Sequence, residues 1–143
     1  MVNRAKRPEI FEILDLVKQQ KAKGRKIEIL RKYDNVALRD ICRGYYDDRV
    51  QWNLPEGSPP YTPNLPESVP STLLKKNVMF KHFVKGSTGD TLTSVKRESI
   101  FISLLESVHP ADAKVLILMI NKKPMTGLTK SVIQEAFPGL IPD

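Results

Sequence analysis

The stretch SVKRESIFISLLESVHPADAKVLILMI, residues 94–120, decides the fold. In its first half Phe101, Leu104, Leu105 and Val108 recur at i, i+3, i+4 and i+7, the spacing that lines up side chains along one stripe of an α-helix. That predicts a helix over residues 94–108. His109-Pro110 breaks the pattern and restarts it. Proline suits the first helical turn, where its missing N–H would be unpaired anyway, and Asp112 suits the positive end of the helix dipole. Val115, Leu116, Met119 and Ile120 then form a second buried stripe.

The same periodicity extends to both sides. Pro8-Glu9 opens a helix carrying Ile10, Phe11, Ile13, Leu14 and Val17, with Gly24 expected to end it. A short helix over residues 25–32 buries Ile27, Leu30 and Ile29. A third follows Asp34-Asn35, with Val36, Leu38, Ile41, Cys42 and Tyr45 on its apolar face. Ser71 can cap a helix reaching Phe83, with Leu73, Leu74, Val78, Phe80 and Phe83 available for burial. Thr126-Gly127 turns the chain, Thr129 caps a last helix, and Pro138-Gly139 ends it. No alternating strand pattern occurs, so the fold class is all-α.

Residues 49–70 differ. Pro55, Pro59, Pro60, Pro63, Pro66 and Pro70 exclude a helix there. An extended strap is expected, with Trp52 and Tyr61 packing onto the helices. Its P-x-x-P spacings keep open the alternative of a docking segment in which Trp52 and Tyr61 contact a partner. Neither flank has enough apolar surface for a separate core, so residues 1–143 form one domain.

With 143 residues and a net charge of +7, the placement of charge says more than its total. Residues 1–32 carry a balance of +6 and residues 75–97 one of +5, while residues 33–74 carry −3. Lys122, Lys123 and Lys130 fall in a stretch without any acid. Basic blocks at loops and helix ends are the footprint of a polyanion partner, or simply a solvated surface. No apolar run reaches the roughly 20 residues of a membrane span, so no membrane partner is expected. The single Cys42 excludes an internal disulfide and a cysteine zinc cage, and a reducing, cytoplasmic setting is expected.

Catalytic patterns are missing. G-x-S-x-G, H-E-x-x-H and a Walker loop are all absent, since GSTG lacks the spacing and the Lys-Ser/Thr pair. His82 and His109 read as surface or capping residues, Asp47-Asp48 as a solvated pair, and Cys42 as core. Neither enzymatic activity nor a metal or cofactor is expected.

Two basic turns remain. One is Lys85-Gly86-Ser87-Thr88-Gly89, flanked by Lys81, Lys96 and Arg97. Its small residues can leave amides and hydroxyls open to phosphate oxygens. The other is Lys122-Lys123 followed by Gly127, Thr129, Lys130 and Ser131, where a glycine turn opens onto a helix N-terminus. Such turns hold a phosphate backbone without reading bases, provided they share one face. The bland alternative is ordinary helix capping.

The close of the chain, from Asp112 through Val115-Leu116, Met119, Lys122, Gly127 and Ser131 to Phe137-Pro138-Gly139-Leu140-Ile141-Pro142-Asp143, resembles the N-terminal DNA-binding domain of T-even phage ATP-dependent DNA ligases. Glu12-Ile13-Leu14, Ile29-Leu30, Asp34-Asn35 and Tyr45-Tyr46 look similar to the start of that domain, and residues 85–93 fall where the family has a Thr-Gly-Asn loop. The proline strap is unlike the family. The resemblance implies a helical domain that clasps duplex DNA around a nick, with contacts from the residues of both basic turns. It lacks the K-x-D-G lysine that ligases adenylate, so joining DNA is not expected of these residues. The resulting expectation is a phage-type, non-catalytic DNA-binding protein of replication or repair. A free-standing relative is preferred over a domain excised from a ligase. The competing expectation is an interaction module for a replication, transcription or virion protein, such as a polymerase or sliding clamp.

Overall fold

The structure, a computed structural model, describes residues 7–123 and 126–142. The basic start of the chain at residues 1–6, the Pro124-Met125 pair and the terminal Asp143 lie outside the described residues. Among the described residues seven α-helices follow in order: α1 Ile10–Gln19, α2 Lys23–Lys32, α3 Val36–Tyr46, α4 Leu73–Lys76, α5 Ser94–Ser107, α6 Pro110–Ile120 and α7 Lys130–Ala136. Two 3₁₀ segments, Asn77–Phe83 and Thr88–Thr91, lie between α4 and α5. Among the described residues there is no strand, only isolated bridges pairing Trp52 with Val84 and Ser71 with Val108. No helix among them is long and apolar enough to cross a membrane.

The stripes of α5 and α6 meet the core as their spacing predicts. Phe101, Leu104, Leu105, Val108, Val115, Leu116 and Met119 are all buried, and Ile120 is half-buried. Helix α6 packs on α1, α3 and α5, while α2 packs on α1 and α7. Burial of these apolar side chains is the main stabilising term, at roughly 1.5–3 kcal/mol for each large residue before entropy is counted.

Local signals set the helix ends. The Glu9 amide donates to Glu12 Oε1 at 2.8 Å, a capping arrangement that starts α1. Asn35 Oδ1 accepts from the Leu38 amide, and Thr129 Oγ1 from the Val132 amide, as their positions predict. His109 caps α6 through Nδ1, which accepts from the Ala111 amide at 3.0 Å.

Several expectations are corrected. Gly24 does not end α1; it lies in the first turn of α2, and α1 stops at Gln19. Thr72 rather than Ser71 caps the helix leading to Phe83, which is one α-turn followed by a 3₁₀ segment. Val36 and Val78, assigned to buried faces, are exposed. Asp47, read as solvated, is fully buried. It accepts from the Arg49 amide at 2.9 Å and from the Arg49 guanidinium at 2.9 and 3.0 Å.

The strap is extended and pinned at both ends. Near its start the Asn53 amide donates to Phe83 O at 2.6 Å, the Lys85 amide donates to Gln51 O at 2.8 Å, and Trp52 Nε1 donates to Gly44 O at 3.1 Å. Farther along, the Thr62 amide donates to Glu106 Oε2, and Trp52 and Tyr61 both pack half-buried against the core. Its first half therefore forms a wall beside α6 and the 85–91 turn.

Candidate nucleic-acid interface

Lys85 belongs to the first basic turn, and Lys122 and Lys123 to the second. All three line one open groove of about 880 Å³, walled by the strap residues Gln51, Trp52 and Glu56 and by the end of α6. The Lys85 and Lys123 side chains are exposed and their ammonium groups have no partner among the described residues. Trp52 also borders a second depression of about 500 Å³ that holds Arg43, Lys81 and Ser87. Cations from three chain stretches, Arg43, Lys81 with Lys85, and Lys122 with Lys123, thus gather on either side of one tryptophan, Arg43 among them paired with Asp47. Like charges gathered on one surface repel one another mildly in water, and a polyanion relieves that repulsion.

The shape of the first turn comes from close approach. Gly86 has φ +83°, a conformation that favours glycine. A Cβ on Gly89 would lie 1.9 Å from the His82 carbonyl oxygen, so only glycine fits there. The expectation of open amides in this turn is corrected. The Gly86 amide donates to Asp90 Oδ2 at 2.8 Å, and the Ser87 amide to Val84 O at 3.3 Å, so a carboxylate of the chain itself already occupies the anion position.

Arg97 is also corrected. It is buried, and its guanidinium donates to the Gly89 and Leu92 carbonyls at 3.2 and 2.9 Å. It holds the 86–92 turn from beneath and cannot reach a phosphate. Lys81, Thr88 and Lys96 are exposed, Lys81 and Lys96 without side-chain partners among the described residues.

The second turn divides in two. Lys122 adopts φ +56° and ends α6 in a left-handed cap, with the Lys122 and Lys123 amides donating to Met119 O and Leu118 O. Its side chain turns inward, and Nζ donates to Asp47 O at 3.0 Å. Burial lowers its pKa, opposed by the nearby Asp48 and Asp47 carboxylates. Lys122 therefore floors the groove, whereas Lys123 projects from it.

Gly127, Thr129, Lys130 and Ser131 do not line this groove. They pack with α2, where Lys26 Nζ donates to Gly127 O at 3.0 Å and Lys23 reaches both Ser131 Oγ and Glu135. The Ser131 hydroxyl and one amide of α7 are thus engaged within the fold, which narrows their expected role to holding the turn. Lys23 and Lys26 were legible only as part of a basic block, because nothing in sequence announces that α2 lies against α7.

Fold and groove together define a class: an all-helical domain with a basic, tryptophan-centred groove between a proline strap and two turns. The chain belongs to DUF6433, a family of unknown function, which matches residues 13–126. No curated protein matches it.

Proposed function

We propose that the protein is a non-catalytic DNA-binding protein that holds the backbone of duplex or nicked DNA with little sequence preference, as a replication or repair accessory of phage type. The observation that carries this reading is the meeting of Lys85 with Lys122 and Lys123 along one open groove. Lys81 beyond Trp52 adds a further exposed ammonium group, while Arg43 beside it is paired with Asp47. The likeness of residues 112–143 to ligase DNA-binding domains supports it independently. Ammonium groups act on phosphates as point charges without reading bases, so binding should be general and salt-sensitive.

Titration of labelled nicked and intact duplex at two salt concentrations tests it. Each phosphate neutralised contributes roughly −0.9 to the slope of log affinity against log salt. Lys85→Glu with Lys123→Glu should weaken binding at least tenfold and flatten that slope by about two. If the double variant binds as the wild type does, the groove is not the interface.

A second reading has its own observation. Leu65 and Val69, on the outer half of the strap, are 56% and 95% exposed. As a protein-docking segment the strap would retain a partner after nuclease treatment, and deleting residues 56–66 would release it.

A further inference from the structure

Beside the basic groove lies another cavity, of about 400 Å³, between the strap and the faces of α5 and α6. Its walls are mainly apolar: Leu54, Pro59, Phe101, Ile102 and Ile120. Leu54, Glu56, Ser58 and Ile120 line both spaces, so the two adjoin across a shared wall. The volume falls within the roughly 300–1,000 Å³ of small-ligand sites. An apolar slot opening beside unpaired ammonium groups suits a ligand that is flat and apolar at one end and anionic at the other.

The polar groups at the slot narrow the chemistry further. Glu56 and Glu98 line it, and neither has a hydrogen-bond or ion partner among the described residues. A carboxylate here disfavours a phosphate inside the slot itself. It can, however, accept hydrogen bonds from an exocyclic amino group, as Glu and Asp do from cytosine N4. Lys85 and Lys123 in the adjoining groove take the opposite charge.

We propose that groove and slot together form a site for one unpaired nucleotide, with its base in the slot between strap and α5 and its phosphate at Lys85 and Lys123. The inference rests on the DNA-binding reading and adds to it a preference for a duplex carrying an unpaired base. Adenine, cytosine and guanine, which carry exocyclic amino groups, should be favoured over thymine. A strand-borne nucleotide and a free nucleoside monophosphate share this chemistry.

The test compares binding of nicked duplexes that carry a one-nucleotide flap of adenine, thymine or an abasic residue, with fully paired nicked duplex and free dAMP as further arms. The wild type should bind the adenine flap about tenfold tighter than the abasic one and several-fold tighter than the thymine one. Ile102→Trp, which fills the slot, should erase the adenine advantage and leave paired duplex within twofold. Glu98→Gln, which offers both an acceptor and a donor, should erase the discrimination between adenine and thymine, with the fold checked by circular dichroism.

Competition by free dAMP that Ile102→Trp removes assigns a mononucleotide source. Flap preference without such competition assigns a strand. Equal binding of adenine and abasic flaps overturns the site, and so does an adenine advantage that survives Ile102→Trp. Salt-dependent binding of paired duplex with no flap preference rejects this site alone, whereas no binding to paired duplex with a retained flap preference rejects the backbone reading and keeps the site.

Discussion

The amide of Phe11 donates to Asp112 Oδ1 at 2.9 Å, so the first turn of α1 is capped by a carboxylate from the first turn of α6. The contact joins residues 101 positions apart. Asp112 is fully buried, and its second oxygen has no hydrogen-bond partner among the described residues. Burial pushes its pKa up to about 7; the Phe11 amide works against that rise, and Glu9 and Glu12 add to it.

The sign of the resulting pH dependence follows from linkage. A carboxyl that holds its proton more tightly folded than unfolded contributes stability that is complete below its ordinary pKa near 3.8 and disappears as pH rises through about 7. Its ceiling is about 4 kcal/mol, since a tenfold difference in proton affinity between the folded and unfolded chain is worth about 1.36 kcal/mol. The melting temperature should therefore fall between pH 5 and pH 8 at constant salt. Asp112→Asn, which cannot ionise, should be the more stable form at pH 8 and lose most of that slope. Asp112→Ala should be less stable than wild type at pH 5, because it strands the Phe11 amide at a cost of roughly 1–3 kcal/mol. A wild-type melting temperature that is flat across this window would place the carboxylate in contact with water.

The two glycines of the first basic turn should respond differently to alanine. At Gly86 the new methyl enters open space, and only the positive φ resists it, at a cost of roughly 1–2 kcal/mol. At Gly89 the methyl would meet backbone, the His82 carbonyl, which no rotamer change can relieve. Gly89→Ala should lower stability by more than Gly86→Ala, in the range of about 2–3 kcal/mol or beyond, as measured by urea unfolding. Equal losses would mean that the Thr88–Thr91 turn shifts freely.

On the proposed DNA-binding reading, Arg97 is a structural cation and Lys85 a binding one. The Arg97 guanidinium is spent on the Gly89 and Leu92 carbonyls. Arg97→Ala leaves Gly89 O only its bond from the Leu92 amide and strips the part-buried Leu92 carbonyl of this donor, so it should destabilise by roughly 1–3 kcal/mol. Where the variant remains folded, the salt slope of DNA binding should not change. Lys85→Ala should do the reverse, flattening the slope by about one with little loss of stability. A changed slope in Arg97→Ala would return that residue to the interface.

The contrast between Arg97 and Lys85 also marks how far the sequence could be read. Helix stripes were legible because burial follows the 3.6-residue period: Phe101, Leu104 and Leu105 face inward wherever their helix packs. The cap at Thr129 and the helix start after Asp34-Asn35 were legible because a capping side chain bonds an amide only three positions along the chain. The fate of each charged side chain was not. Lys122 and Asp112 turn inward because a distant carbonyl and a distant amide await them, and their neighbours in sequence carry no trace of those partners. Asp47 and Arg97 bond groups nearby in the chain, Arg49 and the Gly89 and Leu92 carbonyls, but whether such a side chain folds back or faces water is set by packing. The same limit hid Lys23 and Lys26 at the last turn, while Lys85 and Lys123 stay exposed because nothing among the described residues engages them. A basic block states how many cations exist and leaves their direction to tertiary packing.

The strap is held to the groove by a reciprocal pair. Asn121 Oδ1 accepts from the Gly57 amide at 2.7 Å, and Asn121 Nδ2 donates back to Gly57 O at 3.1 Å. Gly57 sits at φ +85°, so the strap turns sharply at the point where it is held. Asn121 directly precedes Lys122 and Lys123, so one side chain fixes the strap wall relative to the basic turn. Asn121→Ala should therefore speed amide exchange at Gly57 and neighbouring strap residues and expose residues 55–62 to limited proteolysis, while melting temperature falls only slightly because the core is untouched. DNA affinity should fall about two- to tenfold, with the salt slope preserved, since the cations remain and only their wall is loosened. Asn121→Asp keeps one acceptor for the Gly57 amide but loses the return bond and adds a negative charge beside Lys122. It should weaken DNA binding more than alanine does. If Asn121→Ala leaves strap exchange unchanged, the anchors at Trp52 and Glu106 hold the wall without it, and the effect on DNA should vanish as well.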